Sequence, residues 1–365
     1  MPLELPDFPW NSLLPFRETA VAHPDGIVDL AIGSPVDPVP PLIRDALAAA
    51  VDSPGYPQTQ GSPEVRAAIV GWYARRGVEI DAANCIPTIG SKEFIATLPT
   101  LLGLGPGDIV VFPTAAYPTY DVGARIAGAD VLRSDDPDEW PQNTRLAWLN
   151  SPGNPDGRVH GHEFLRRAVV RARELGAVVA NDECYTELNW EGDEPTPSIL
   201  DPEVTQGSRR LTLAVHSLSK RSNLAGYRAG FVAGCSDLIG EILEARKHAG
   251  LIPPAPVQHA MAVALGDDSH VRVQKSLYAA RRSQLADALR GAGFRIDESR
   301  AGLYLWATRG EDCWATVADL ARLGILVTPG SFYGDAGREH VRISLTATDE
   351  RTAAGAARLA SSSNG

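Results

Sequence analysis

Hydrophobic spacing along the chain changes character near residue 41. Before that point prolines (Pro2, Pro6, Pro9, Pro15, Pro24, Pro35, Pro38, Pro40, Pro41) break up the apolar positions. This predicts an extended arm lying over another part of the protein, because proline interrupts helix interiors and central strands. Beyond it, residues 43–51 and 63–77 carry helical periodicity, with Gly77 as a stop. Short apolar runs follow at Ile86–Ile89, Ile109–Phe112, Ala129–Leu132, Leu146–Leu149, Ala177–Ala180, Leu211–Val215 and Ala229–Ala233. Helical stretches such as residues 92–103 and 161–176 lie between them. Strand and helix in alternation predict an α/β fold with a mainly parallel sheet. A long helical stretch near 268–292 then leads to strand (303–309), helix (316–324), strand (340–345) and helix (349–360). That is a smaller α+β unit. The organisation expected is residues 1–40 as arm and part of the small domain, 41–265 as the large domain and 266–365 as the small domain. The closing SSSNG is expected to fray.

Composition narrows the choice of partner. A chain of 365 residues with 44% hydrophobic and 22% charged residues belongs with ordinary globular proteins, not disordered or fibrous ones. A net charge of -11 argues against nucleic acid and anionic membrane as partners, so an anionic ligand must meet a local basic pocket. The N-terminus lacks the basic start and apolar stretch of a signal peptide, and no run approaches a membrane span, so a cytoplasmic location is expected. Cys85, Cys184, Cys235 and Cys313 form no CxxC pair and read as reduced, mostly buried thiols. Of the 34 basic residues only Lys92, Lys220, Lys247 and Lys275 are lysines, which leaves few candidates for lysine chemistry.

Parallel sheets bind ligands beyond the C-terminal ends of their strands, so the residues after each strand matter most. Gly90-Ser91-Lys92 follows the first run and opens a helix, offering backbone N–H groups to a phosphate or simply capping the helix. The segment 150–157, NSPGNPDG, reads as a turn cluster. Asn181-Asp182-Glu183-Cys184-Tyr185 delivers a carboxylate from an apolar strand, and a buried acid needs a partner. His216-Ser217-Leu218-Ser219-Lys220-Arg221 and then Arg228 bring two hydroxyls, a lysine and an arginine to a fourth strand end. Four such sites in chain order point to a built site.

SPGNPDG, NDECY and HSLSKRSNLAGYRAGF, in this order, resemble the class I/II aminotransferases of the type I pyridoxal-phosphate fold, over most of the chain from Ile32-Gly33 to Arg342. LPDFPW, AHPDGIVDL, GSPVDPVP, YPQTQGSPEVR and SLSKRSNLAGYRAGFVAG are similar to the actinobacterial N-succinyldiaminopimelate aminotransferases. The resemblance implies pyridoxal 5′-phosphate as cofactor. Lys220 would bind it covalently and move the substrate α-proton. Asp182 would pair with the pyridine nitrogen, and Asn154 and Tyr185 would hold the ring oxygen. Ser91, Ser217, Ser219 and Arg228 would bind the phosphate with the backbone of Gly90, Ser91 and Lys92. Tyr117 would stack on the ring. Arg342 would grip the substrate α-carboxylate, with Asn154 and the Gly33 backbone beside it. Tyr56 would reach the phosphate across a homodimer interface, making a shared active site. The arm would cover the site or the partner.

The activity implied moves an amino group from glutamate, by way of pyridoxamine phosphate, to N-succinyl-2-amino-6-oxopimelate in diaminopimelate and lysine biosynthesis. That acceptor has several carboxylates and calls for arginines beyond Arg342. The alternatives are another amino-acid aminotransferase or a carbon–sulfur β-lyase using the same Lys220 and Asp182. A non-enzymatic regulator would need a DNA-binding domain before the arm. A nicotinamide-dependent dehydrogenase would need a glycine fingerprint after the first strand, which Gly103–Gly107 does not supply. His160 and His162 lack a third metal ligand and read as solvated surface. Arg17, Glu18 and Arg221 could face substrate, while Lys247 and Lys275 read as solvated helix faces.

Overall fold

The computed structural model describes residues 5–362. Pro2 and the last three residues of SSSNG lie outside them, and the final helix runs through Ser362. A seven-stranded sheet forms the large unit, from β2 (Cys85–Ile89), β3 (Ile109–Phe112), β4 (Asp130–Arg133), β5 (Thr144–Asn150), β6 (Val178–Asp182), β7 (Thr212–Ser217) and β8 (Ala229–Gly234), after a short β1 (Val28–Asp29). Its order is β2-β8-β7-β6-β5-β3-β4. The pairings from β4 through β7 are parallel, while β8 runs antiparallel to both β7 and β2. All seven apolar runs in this region are strands, within a few residues of the expected bounds.

The central strands are apolar on both faces because both faces are covered. Along β5, Ala147 and Leu149 enter one core and Leu146 and Trp148 the opposite one. The helix His162–Leu175 lays Leu165, Ala168, Val169, Ala172 and Leu175 on the sheet, a helical stripe that ends at the left-handed Gly176. These strands therefore end together at one edge, and their last residues face one place.

The second unit is a four-stranded antiparallel sheet, order β12-β13-β10-β9, from β9 (Arg295–Asp297), β10 (Tyr304–Thr308), β12 (Thr328–Pro329) and β13 (His340–Ser344). Beside it β1 pairs in parallel with β11 (Ile325–Leu326). Its core includes Leu13, Ala20, Val28 and Leu30 from the start of the chain together with residues from Tyr278 to Leu359. The expectation of an extended arm needs correction here. Residues Pro9–Leu13 form a 3-10 turn and Leu14–Val21 an α-helix. Pro9 and Pro15 occupy first-turn positions, where proline's missing N–H and fixed φ cost nothing. The long helix is Ser269–Gly291, separated from a preceding helix Ala255–Gly266.

The N-terminal segment and the last helix meet at Arg281, a buried guanidinium on the long helix. It grips Asp37 at 2.6 and 2.8 Å and Asp349 at 2.7 Å, while Gln274 donates to the same Asp37 carboxylate. Burial alone would raise the Asp37 pKa, but the bonds from Arg281 and Gln274 outweigh it and hold the group below its ordinary value. A carboxyl depressed in the folded state contributes stability above its unfolded pKa, and that contribution disappears as pH falls through the folded value. Asp37→Asn weakens charge-assisted hydrogen bonds and should therefore cost about 1.5–3 kcal/mol at neutral pH. Thermal melts from pH 7 to pH 3 should show a shallower loss of stability in the variant than in the parent.

Candidate active site

Four C-terminal strand ends open into one cavity of about 340 Å³. Lys220, Asp182, Tyr185, Asn154, Arg228, Arg342, Ser91, Lys92, Ser217, Ser219, Tyr117 and Gly33 all line it. Of the residues singled out from sequence, Gly90 and Tyr56 stand outside this lining. Gly90 is one step before Ser91, whereas Tyr56 is fully exposed at 102%.

At the floor, β6 ends in Asp182, whose carboxylate accepts from the Tyr120 hydroxyl (3.0 Å) and the Cys184 backbone N–H (3.2 Å). No lysine or arginine pairs with it among the described residues. Burial raises its pKa even against those bonds, so the site is short of a positive partner for this acid. Lys220 sits in the turn after β7, where its amine donates to the Gly33 carbonyl. Burial, assisted by Arg342 and Arg228, lowers its pKa, although Tyr304 and Cys184 oppose the shift. A lysine desolvated in this way carries a larger share of the neutral amine, the nucleophilic and basic form.

One wall suits a phosphate. The helix Gly90–Leu101 starts after Ile89 with no side-chain cap, so its first N–H groups remain available. Ser217 caps the Lys220 turn by accepting from the Ser219 N–H at 3.1 Å. Arg228 stands opposite, held to the Ala225 carbonyl at 2.9 Å. Gly90 has φ +69°, and a Cβ there would meet Arg228 Nη2 at 2.6 Å. Only glycine leaves this cradle open.

On the other wall Arg342, 3% exposed, donates to Asn154 Oδ1 (2.9 Å) and the Ala31 carbonyl (2.8 Å). Its guanidinium lies 3.8 Å from the Tyr304 ring centroid and 5.0 Å from that of Tyr333. It has no carboxylate partner among the described residues, and its Nε makes no hydrogen bond. A buried, unpaired guanidinium facing a cavity is suited to pairing with a carboxylate. The arm also reaches the cavity, through Phe8, Trp10 and Ile32 at the mouth. Trp10 is anchored on Phe332 (5.6 Å), and Phe332 on Trp314 (5.7 Å).

Several residues were missed from sequence. Tyr120 stacks on Trp148 at 5.2 Å and bonds Asp182. Its signal was available, since it follows Tyr117 by one helical turn. Tyr304, Cys184, Phe8 and Trp10 gave none, because nothing local distinguishes them from core or arm residues. Arg221 does not face the cavity: it is buried against Glu187 at 3.0 Å. Arg17 pairs with Asp29 at 2.6 Å, and Lys247 with Glu244 at 2.6 Å. His160 is packed rather than solvated, stacked on Phe164 at 3.9 Å, with its pKa lowered to about 4 by burial. His162 pairs with Asp201 and Glu203. No group of metal ligands occurs among the described residues. Cys85 and Cys313 are buried, while Cys184 and Cys235 are only partly so. No helix of the described residues is long and apolar enough to cross a membrane.

An amine, an acid lacking a cation, an anion cradle and an unpaired guanidinium surround one cavity on this α/β scaffold, the set expected of an enzyme that holds a phosphate-bearing cofactor. Comparison with known proteins carries this further. Residues 25–359 match the family "Aminotransferase class I and II". The chain is 57% identical to 4-dedimethylamino-4-oxo-anhydrotetracycline transaminase OxyQ of Streptomyces rimosus, over 98% of this chain and 99% of that one. It is 56% identical to the probable aminotransferase Rv1178 of Mycobacterium tuberculosis, over 97% and 85%. Among solved structures, a probable N-succinyldiaminopimelate aminotransferase from Thermus thermophilus superposes with TM-score 0.86 at 28% identity, covering 96% of this chain and 99% of that one. The chain belongs to the class I and II aminotransferases, a family that uses pyridoxal 5′-phosphate.

The cradle supplies a test. Gly90→Ala adds a methyl group against Arg228 at a left-handed φ, and should weaken pyridoxal 5′-phosphate binding by about tenfold or more, roughly 1.4 kcal/mol. Titrating the cofactor-free protein and following the visible band measures this directly.

Proposed function

We propose that this aminotransferase moves an amino group from glutamate to N-succinyl-2-amino-6-oxopimelate, the activity of a succinyldiaminopimelate transaminase serving lysine biosynthesis. The observation that carries amino transfer between carboxylate-bearing substrates is Arg342, buried without an acid on the cavity that Lys220 enters. The acceptor is supported by the sequence segments shared with N-succinyldiaminopimelate aminotransferases and by the likeness to the Thermus thermophilus structure.

The residues fit the cofactor: Asp182 lacks a cation, the Gly90 cradle is open, and the Lys220 amine is desolvated. Bound pyridoxal 5′-phosphate supplies the electron sink that stabilises negative charge at the substrate α-carbon. Asp182 holds a proton on the pyridine nitrogen. Ser91, Ser217, Ser219, Arg228 and the N–H groups from Gly90 to Lys92 hold the phosphate, and Tyr117 covers the ring. Asn154 and Tyr185 hold the ring oxygen. Arg342, with the Gly33 backbone beside it, fixes the α-carboxylate and so presents the α-C–H bond to Lys220. Lys220 would take that proton from the α-carbon as general base and, once protonated, serve as general acid.

In this reading residues 41–265 carry the cofactor, and residues 1–40 with 266–365 form the unit that bears Arg342. Tyr56, fully exposed in one chain, completes the phosphate site of the partner subunit in a homodimer. A second reading has its own support. OxyQ is named for a polycyclic ketone, it is 57% identical, and the mouth of this cavity is apolar at Phe8, Trp10 and Ile32. An acceptor of that kind would lie against those side chains.

The deciding experiment is a visible spectrum of the purified protein before and after glutamate without acceptor, followed by an acceptor panel. Loss of the visible band with glutamate, and its return with N-succinyl-2-amino-6-oxopimelate, is the expected result. Return only with the polycyclic ketone favours the second reading. Pyruvate released from an S-substituted cysteine would instead report β-lyase chemistry. A protein that takes up no cofactor overturns the proposal. Lys220→Ala should lose turnover, and Arg342→Gln should lower kcat/KM for carboxylate substrates about 10²–10³-fold by removing a bidentate ion pair.

A further inference from the structure

The helix that opens the anion cradle carries an acid, Glu93, in its first turn. Its carboxylate folds back to accept from the Ile89 N–H at 3.3 Å, and so closes a loop around Gly90, Ser91 and Lys92. An acid at this end of a helix suits the dipole and steadies the loop. It also sets a negative charge beside the N–H groups assigned above to a phosphate, about 5–6 Å away at the spacing of one helical turn. Like charges that close repel, and the cradle has to hold an anion.

Arg246 answers that charge from behind. It lies near the end of the helix Ser236–Ala249, which follows β8, and its side chain is fully buried. Both terminal nitrogens donate to Glu93, Nη1 to Oε1 at 2.8 Å and Nη2 to Oε2 at 3.1 Å. Nη2 also donates to the Leu251 carbonyl at 3.1 Å. Two-pronged pairing of this kind fixes orientation as well as charge. With Arg246 out of water, salt screens the pair little. No other basic side chain pairs with Glu93 among the described residues.

We propose that Arg246 is a positioning residue for the cofactor phosphate: it cancels the charge of Glu93, so that the loop closed by Glu93 accepts a phosphate and does not repel it. Arg246 stands outside the cavity lining and acts only through Glu93. The inference rests on the phosphate placement under Proposed function. It makes the two partners unequal. Removing the arginine leaves an uncancelled carboxylate at the cradle, whereas removing the acid leaves a surplus positive charge behind it. A pair that only braced the fold would give a loss from either side.

The test titrates the cofactor-free protein with pyridoxal 5′-phosphate and, in parallel, with pyridoxal, which lacks the phosphate, following the visible band. The ratio of the two affinities separates the cradle from any general effect on the fold. Arg246→Met should lower that ratio about tenfold or more, the size expected of one uncancelled charge at this range. Glu93→Gln keeps an oxygen for the Ile89 N–H and should leave the ratio unchanged or higher. The double variant is neutral again, and its ratio should return to within about threefold of the parent. An unchanged ratio in Arg246→Met, or an equal loss in both single variants, overturns the proposal. If Arg246→Met does not fold, Glu93→Gln and the double variant still differ only at position 246. The ratio should then be higher in Glu93→Gln, and equal ratios overturn the proposal. A parent protein that binds pyridoxal 5′-phosphate no better than pyridoxal overturns the phosphate placement instead.

Discussion

The structure turns on one guanidinium kept out of water with no acid beside it. A buried charge of this kind costs several kcal/mol unless its protons are satisfied and its field is answered. Arg342 meets that demand with neutral groups: the Asn154 amide oxygen, the Ala31 carbonyl and the faces of Tyr304 and Tyr333. Each comes from a different part of the chain. The Asn154 loop follows β5 of the large sheet, Ala31 belongs to the first forty residues, Tyr304 to β10 and Tyr333 to the 3-10 turn Gly330–Tyr333. Arranging neutral support around a charge leaves the charge itself unspent.

Asp182 shows the opposite sign at the other side of the same cavity. It is supported by a phenol and a backbone N–H, again neutral donors. The parallel sheet makes this arrangement accessible. Strands buried on both faces must be apolar along their length, so polar groups can appear only at their ends, and parallel pairing brings those ends together. Asn150, Asp182 and Ser217 are each the last residue of a neighbouring strand. Lys220 lines the same cavity, and burial, assisted by Arg342 and Arg228, lowers its pKa.

The Arg281–Asp37–Gln274 cluster ties the end of the arm to the long helix, and Asn223, three residues past Lys220, bonds Gln274 at 2.8 Å. The turn that carries Lys220 is thus fastened to the same helix that holds Asp37. Arm, lysine turn and small unit share one set of polar contacts. Aromatic packing from Trp10 to Phe332 and Trp314 extends that attachment to the cavity mouth.

The amino-acid sequence by itself determined the features that depend on local pattern. The seven apolar runs of the large sheet were legible because a strand buried on both faces shows as an uninterrupted apolar segment. The grouping of residues at their ends was legible because they follow each run directly, as with Asp182 and Lys220, which line one cavity. The helix Leu14–Val21 was hidden by prolines, which read as breakers yet sit in first turns where they cost nothing. Tertiary structure alone decided the rest. The Tyr185–Tyr304 contact joins positions 119 apart in sequence, and Arg342 meets Asn154 across 188. Their meeting depends on how two sheets and an arm pack together. Periodicity records which face of an element is buried, but not which distant residue will lie against it.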